Sequence, residues 1–109
     1  METKLDLKAI GNRVRLQRKF LGFSREQLSE QLSVSEHFCR DIEVGAKGMS
    51  VQTLANLSCV LKLSVDYILF GDTSNKDVCE PLSVMLRSCT PEKRKYAEDI
   101  LKSFLLAVE

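Results

Sequence analysis

The sequence predicts an all-α protein, with five helices in an N-terminal domain over residues 5–71 and a helical extension after it. Three observations predict this class. Apolar residues recur at helical spacing through most of the chain. A serine stands just before one apolar segment after another, where a helix N-cap belongs. No run alternates with the period of two that a half-buried strand requires, so no strands are expected.

The first helix covers residues 6–21, with Leu7, Ile10, Val14 and Leu21 at broadly helical spacing and Gly22 as its stop. Ser24 opens the second. Ser24 and Gln27 make an S-x-x-Q capping box, and Phe23 stands where a hydrophobic staple packs against Leu28. Leu28 and Leu32 face inward, and Ser29 keeps that side of the helix small. Ser35 caps a third helix whose inward residues are Cys39 and Ile42 and which ends at Gly45. The loop "GAKGMS" follows, then Ser50 caps a fourth helix with Leu54, Leu57 and Leu61 inside. Ser64 caps a short fifth helix, "VDYILF", closed by Gly71.

Composition then changes. Residues 72–81 read as a linker, because Gly, Asp, Ser, Asn and Pro cluster around them. Residues 82–109 form the C-terminal segment: a short apolar stretch, "LSVML", and then a helix with a strong start. Thr90 is its N-cap, Pro91 its first residue and Glu92 lies in its first turn. Tyr96, Ala97, Ile100, Leu101, Phe104, Leu105 and Val108 make a wide apolar stripe that needs a surface to bury against. That surface is either the same stripe of a second copy or the chain's own N-terminal domain.

With 109 residues, 44% hydrophobic and 28% charged, the chain is an ordinary globular domain with an appendage. The apolar runs are far shorter than a membrane span, and the N-terminus lacks the features of a secretory signal, so a cytoplasmic protein is expected. Cys39, Cys59, Cys79 and Cys89 include no C-x-x-C pair, and one histidine cannot complete a Cys/His zinc site of the usual spacing. No metal or cofactor is expected. Cys39 and Cys59 fall within amphipathic patterns and are expected to be buried thiols. The net charge of +1 gives little overall positive field, so any nucleic-acid surface must be local. There is no P-loop, no glycine-rich nucleotide fingerprint and no recognisable nucleophile arrangement, which argues against an enzyme.

In order from Ile10 to Gly71, the segments "IGNRV", Arg18, "LGFSREQL", "LSVS", "IEVG", Ser50 and "LSVDYILFG" resemble the Cro-like (XRE) helix-turn-helix family, which includes the lambdoid phage repressors. The resemblance covers about 60 of the 109 residues. It implies a phage-repressor-like five-helix domain in which residues 24–32 and 35–43 form the helix-turn-helix, with 35–43 as recognition helix. Such a helix enters the major groove of double-stranded DNA with its N-terminal residues toward base edges. The expected base-contacting residues are Ser35, Glu36, His37, Arg40 and Asp41. The two acids can accept from a cytosine amino group, or else Glu36 sits at the helix start for its dipole and Asp41 pairs locally with a basic neighbour. His37 can donate to a purine acceptor, and Arg40 can reach a guanine or a phosphate. The expected phosphate contacts are Ser24 and Arg25 at the second helix's N-terminus, with Lys47 and Gln52 flanking the loop after the recognition helix. Arg18 and Glu43 match a pair that forms an internal salt bridge in family members.

Three residues depart from the family pattern. Phe38 stands where a small or polar residue is usual, and is expected to pack inward beside Ile42. Ser33 replaces a frequent turn glycine and is strained if that position needs positive φ. Gln17 replaces a frequent Leu. The expected function is a transcriptional regulator, a repressor acting as a homodimer on a two-fold symmetric operator. Its dimer would form through Tyr96, Ile100, Leu101, Phe104, Leu105 and Val108, or through the helix-turn-helix domain itself. Two alternatives stand beside it: an antitoxin whose C-terminal helix grips a protein partner, and an interaction module that has lost DNA binding.

Overall fold

The structure is a computed structural model; it describes residues 4–71 and 76–107, with side chains described for 4–71 and 81–107. All regular structure among the described residues is helical. The chain divides into two units, Met1–Asp72 and Thr73–Glu109.

In the first unit, α1 runs Leu7–Leu21, α2 Arg25–Leu32, α3 Glu36–Val44, α4 Val51–Leu61 and α5 Val65–Phe70. Each begins at a side chain that accepts from a first-turn backbone N–H: Asp6, Ser24, Ser35, Ser50 and Ser64. These bonds satisfy donors that a helix cannot pair internally. At α2 the capping box is complete, since Gln27 Oε1 also accepts from the Ser24 N–H at 2.8 Å. Asp6 and the four serines therefore fix where these five helices start.

The core is formed by Ile10, Val14, Leu21, Leu28, Leu32, Cys39, Ile42, Leu57, Leu61 and Ile68, all buried. Leu54, Phe23 and Phe38 pack against it, half-buried. Helix α1 is the hub, packing on α3, α4 and α5, while α2 packs on α3 and α4. Two side chains of α1 reach across to the ends of other helices. Arg13 Nη1 donates to the Ile68 carbonyl at 2.9 Å, and Gln17 Nε2 donates to the Leu61 carbonyl at 2.8 Å. Each satisfies a carbonyl in the last turn of its helix. Gln17 thus has a task that the family's usual Leu cannot perform.

The second unit contains α6, Lys76–Ser88, and α7, Pro91–Ala107, packed on one another. Arg94 Nε donates to the Leu86 carbonyl at 3.1 Å, and Thr90 Oγ1 accepts from the Lys93 N–H at 3.3 Å. Residues 76–81, read from sequence as linker, are helical. The turn-forming residues stop at Asn75, and Pro81 removes one helical hydrogen bond without ending the helix. Residues 72–75 and Val108 lie outside the described residues, as does the side chain of Cys79. Cys59 corrects a second expectation. It is exposed, because Leu57 and Leu61 turn inward and the residue between them faces away. Among the described residues no helix is long and apolar enough to cross a membrane, and there is no cluster of three or more potential metal ligands.

Candidate nucleic-acid interface

Helices α2 and α3 are joined by Ser33, Val34 and Ser35. Ser33 adopts φ 56°, the left-handed conformation that L-residues occupy at a cost. Its N–H donates to the Glu30 carbonyl at 3.2 Å, and Val34 N–H donates to Ser29 at 3.1 Å. Val34 packs on the core, and Ser35 Oγ accepts from Phe38 N–H at 3.0 Å. Three residues therefore turn the chain, bury one side chain and start the next helix.

The C-terminal half of α3 is gripped from below. A Cβ built on Gly11 would lie 2.3 Å from the Ile42 carbonyl oxygen and 2.5 Å from that of Glu43, so only glycine lets α1 approach α3 this closely. Gly45 ends α3 at φ 79° and sits against the backbone of Lys8, where a Cβ would come within 2.7 Å of its Cα. Gly45 is legible in the sequence as the end of α3, but neither glycine's close contact is, because it involves two helices distant in the chain.

A buried ion network fastens the same end of α3 to α1 and α2. Arg18 Nε and Nη2 donate to the two oxygens of Glu43 at 2.7 and 3.0 Å, and Arg18 Nη1 donates to the Phe23 carbonyl at 2.9 Å. The side chain of Glu43 is 1% exposed, so the carboxylate lies in a weakly screened environment. Its hydrogen bond holds the Arg18 guanidinium above its ordinary pKa, although burial works against this. Arg25 joins the network, with Nε 3.5 Å from Glu43 Oε1. That Nε is buried and has no hydrogen-bond partner. Two cations therefore share one carboxylate. The same surroundings act on Cys39, whose thiol is pushed up to about 11, mainly by burial and further by the Glu43 charge.

The N-terminal half of α3 is open to solvent. Ser35, Glu36, His37 and Arg40 are all exposed, whereas Phe38 turns inward against the core. Asp41 does not share the outer face that its helical position suggested. It is 7% exposed, with Oδ2 3.5 Å from His37 Nε2 and 3.6 Å from Lys47 Nζ. The loop after α3 folds back over that position, which a helical projection cannot anticipate. Ser24 is exposed at the start of α2, and the Arg25 side chain is about one-third exposed. Lys47 lies exposed in the loop, and Gln52, exposed in α4, donates to Asn56 Oδ1 at 3.1 Å. On α7, Tyr96, Ile100, Leu101 and Phe104 are exposed and Leu105 is half-buried.

No family model matches the chain. An HTH-type transcriptional regulator of Sinorhizobium medicae is 33% identical over 58 residues, a match covering 53% of this chain and 42% of that protein. The chain thus spans less than half the length of the curated relatives it matches. Among solved structures, the P22 c2 repressor in complex with a synthetic operator is 31% identical with a TM-score of 0.57, covering 64% of this chain and 100% of that chain. A structure of the SinR/SinI complex is 25% identical with a TM-score of 0.56, covering 85% of this chain and 94% of that chain. Helix order, turn geometry and these likenesses agree: the chain belongs to the Cro-like (XRE) family of helix-turn-helix regulators, together with the phage repressors.

Proposed function

We propose that this protein is a sequence-specific reader of double-stranded DNA that represses transcription, binding a two-fold symmetric operator as a homodimer. The observation that carries the reading is the division of α3. Its C-terminal half is locked to α1 and α2, while its N-terminal half presents Ser35, Glu36, His37 and Arg40 to solvent. A helix held in this way can place its first turns in a major groove and keep them in register. The P22 c2 repressor, solved with a synthetic operator, supports the reading.

In the proposed complex His37 and Arg40 donate to base or phosphate acceptors, and Glu36 accepts from a cytosine amino group. Glu36 repels phosphate wherever it lacks that donor, so it lowers affinity for wrong sequences more than it raises affinity for the right one. Ser24 and Arg25 address one phosphate at the N-terminus of α2, with Lys47 and Gln52 on the backbone beyond. Such contacts set register and salt dependence, not sequence. Tyr96, Ile100, Leu101, Phe104 and Leu105 form the proposed dimer face. Repression follows without further parts when an operator overlaps a promoter.

The exposed stripe of α7, together with the likeness to a structure from the SinR/SinI complex, favours a second use of the C-terminal unit as a site for another protein. In vitro selection from random duplex DNA at roughly physiological salt tests the main reading. Enrichment of a symmetric motif with half-sites about 10 bp apart is the expected result. Failure to enrich any motif, with a control repressor recovered, transfers the function to protein binding.

A further inference from the structure

Asp41 lies beneath two residues of the proposed DNA surface and touches both. Its carboxylate is only 10% exposed, yet its two neighbours are largely in solvent: the His37 side chain is 75% exposed and that of Lys47 62%. Its Oδ2 lies 3.5 Å from His37 Nε2, one turn back on α3, and 3.6 Å from Lys47 Nζ in the following loop. The Asp41 main chain is tied to the same loop, because its carbonyl accepts from Ala46 N–H at 2.9 Å and Lys47 N–H at 3.4 Å. A carboxylate this deep has no path to a base edge without breaking both contacts.

We propose that Asp41 is a positioning residue for DNA recognition, and not a base-contacting one: from below, it sets both His37 on the reading face and Lys47 at the phosphate backbone. This rests on the DNA-reading function proposed above. The separations, 3.5 and 3.6 Å, are longer than those of short hydrogen bonds, so each neighbour is steered while its other polar atoms stay free. His37 turns Nε2 toward Asp41 and keeps Nδ1 for a base, as a donor when the ring carries both protons and as an acceptor when Nε2 alone is protonated. Lys47 keeps N–H donors for a phosphate. One buried charge thus couples a sequence-reading contact to a sequence-independent one across the end of the recognition helix.

The test is to run the binding-site selection and a salt titration on the full chain and on Asp41→Asn, His37→Ala and Lys47→Ala. The expected result is that Asp41→Asn relaxes preference by about five- to tenfold at the same base position that His37→Ala relaxes, and at no other. It should also flatten the salt dependence in the manner of Lys47→Ala. The double variant Asp41→Asn/His37→Ala should then be no less selective at that position than His37→Ala alone. A change of preference at a different base position means that Asp41 reads a base itself, and overturns the proposal. So does an unchanged profile. Where Asp41→Asn fails to give a cooperative melt, Asp41→Glu keeps the charge and moves it by one methylene. It should disturb the His37 position alone, and disturbance elsewhere again overturns the proposal. If the unmodified chain enriches no motif, the DNA-reading function itself falls, and the positioning role with it.

Discussion

Leu28, Leu57, Leu61 and Ile68 of the N-terminal unit are 0% exposed, whereas Tyr96, Ile100 and Phe104 of α7 are 69, 71 and 60% exposed. Both units are built from amphipathic helices with sound start signals. They differ in what the apolar face meets. Five helices with α1 as their hub enclose one another's stripes, so the first unit has a core of its own. Two helices cannot enclose a stripe as wide as that of α7, and an isolated helix draws little stability from propensity alone. Contiguous exposed apolar surface of this kind marks an interaction face. The enclosed core thus belongs to the first unit, and the stripe of α7 is the proposed association face.

The sharpest way to break that assignment is to truncate one apolar residue in each unit. Leu57→Ala should cost about 2–5 kcal/mol in urea-induced unfolding. Phe104→Ala should change the unfolding of the N-terminal unit by less than about 0.5 kcal/mol, yet weaken self-association in sedimentation equilibrium. Equal effects of the two on unfolding would remove the distinction between the units. Next in size is Gly11→Ala. Its new Cβ meets main-chain oxygens of α3, which cannot swing aside as a side-chain tip can. The expected loss is about 1–3 kcal/mol, with DNA affinity falling further because α3 is displaced. A melting temperature equal to the parent's would show that α1 and α3 separate freely.

Ser33→Gly should act in the opposite direction. It relieves a left-handed serine and should stabilise by about 1 kcal/mol, read as a higher urea midpoint at unchanged slope. A further expected effect concerns pH. The Cys39 thiol is raised from 9.0 to about 11 in the folded chain. The unfolded chain therefore loses this proton first, and fewer protons are bound to it above pH 9. The contribution of Cys39 is present in full below that pH and is lost as pH rises through about 11. Melting temperatures compared with Cys39→Ala should diverge over that window. In the native protein at pH 8, exposed Cys59 should react with a thiol reagent while Cys39 reacts only on unfolding.

Much of the fold was legible because it is written locally. Ser24 with Gln27, and the serines before α3, α4 and α5, specify helix starts through bonds three residues long. Ser33 stood out only against the family's frequent glycine, as strained if the position needs positive φ, and its φ of 56° meets that condition. Pairings between helices were legible only through resemblance. Nothing near Arg18 or Glu43 in the sequence points to the other, 25 residues away. What escaped both routes depends on depth and on juxtaposition. For Asp41 the sequence left base contact and pairing with a basic neighbour side by side, and only the loop carrying Lys47 shows its depth and its partners. Gly11 looked like any small helix residue until α3 was laid against it.

The way α3 is held has a consequence for how its specificity can be altered. Mechanically it is a beam mounted along one side, held at residues 42–45 by Gly11, Arg18 and the main chain of Lys8 and further along by Cys39, Phe38 and Val34, with Glu36, His37 and Arg40 on its open side. The mounting uses none of those three side chains, so they can be re-cut without disturbing it. Positions 36, 37 and 40 can therefore be varied together in a combinatorial library, and most members should still fold. On the DNA-reading function proposed above, the same scaffold would take new operators by exchanging three side chains, without passing through unstable intermediates.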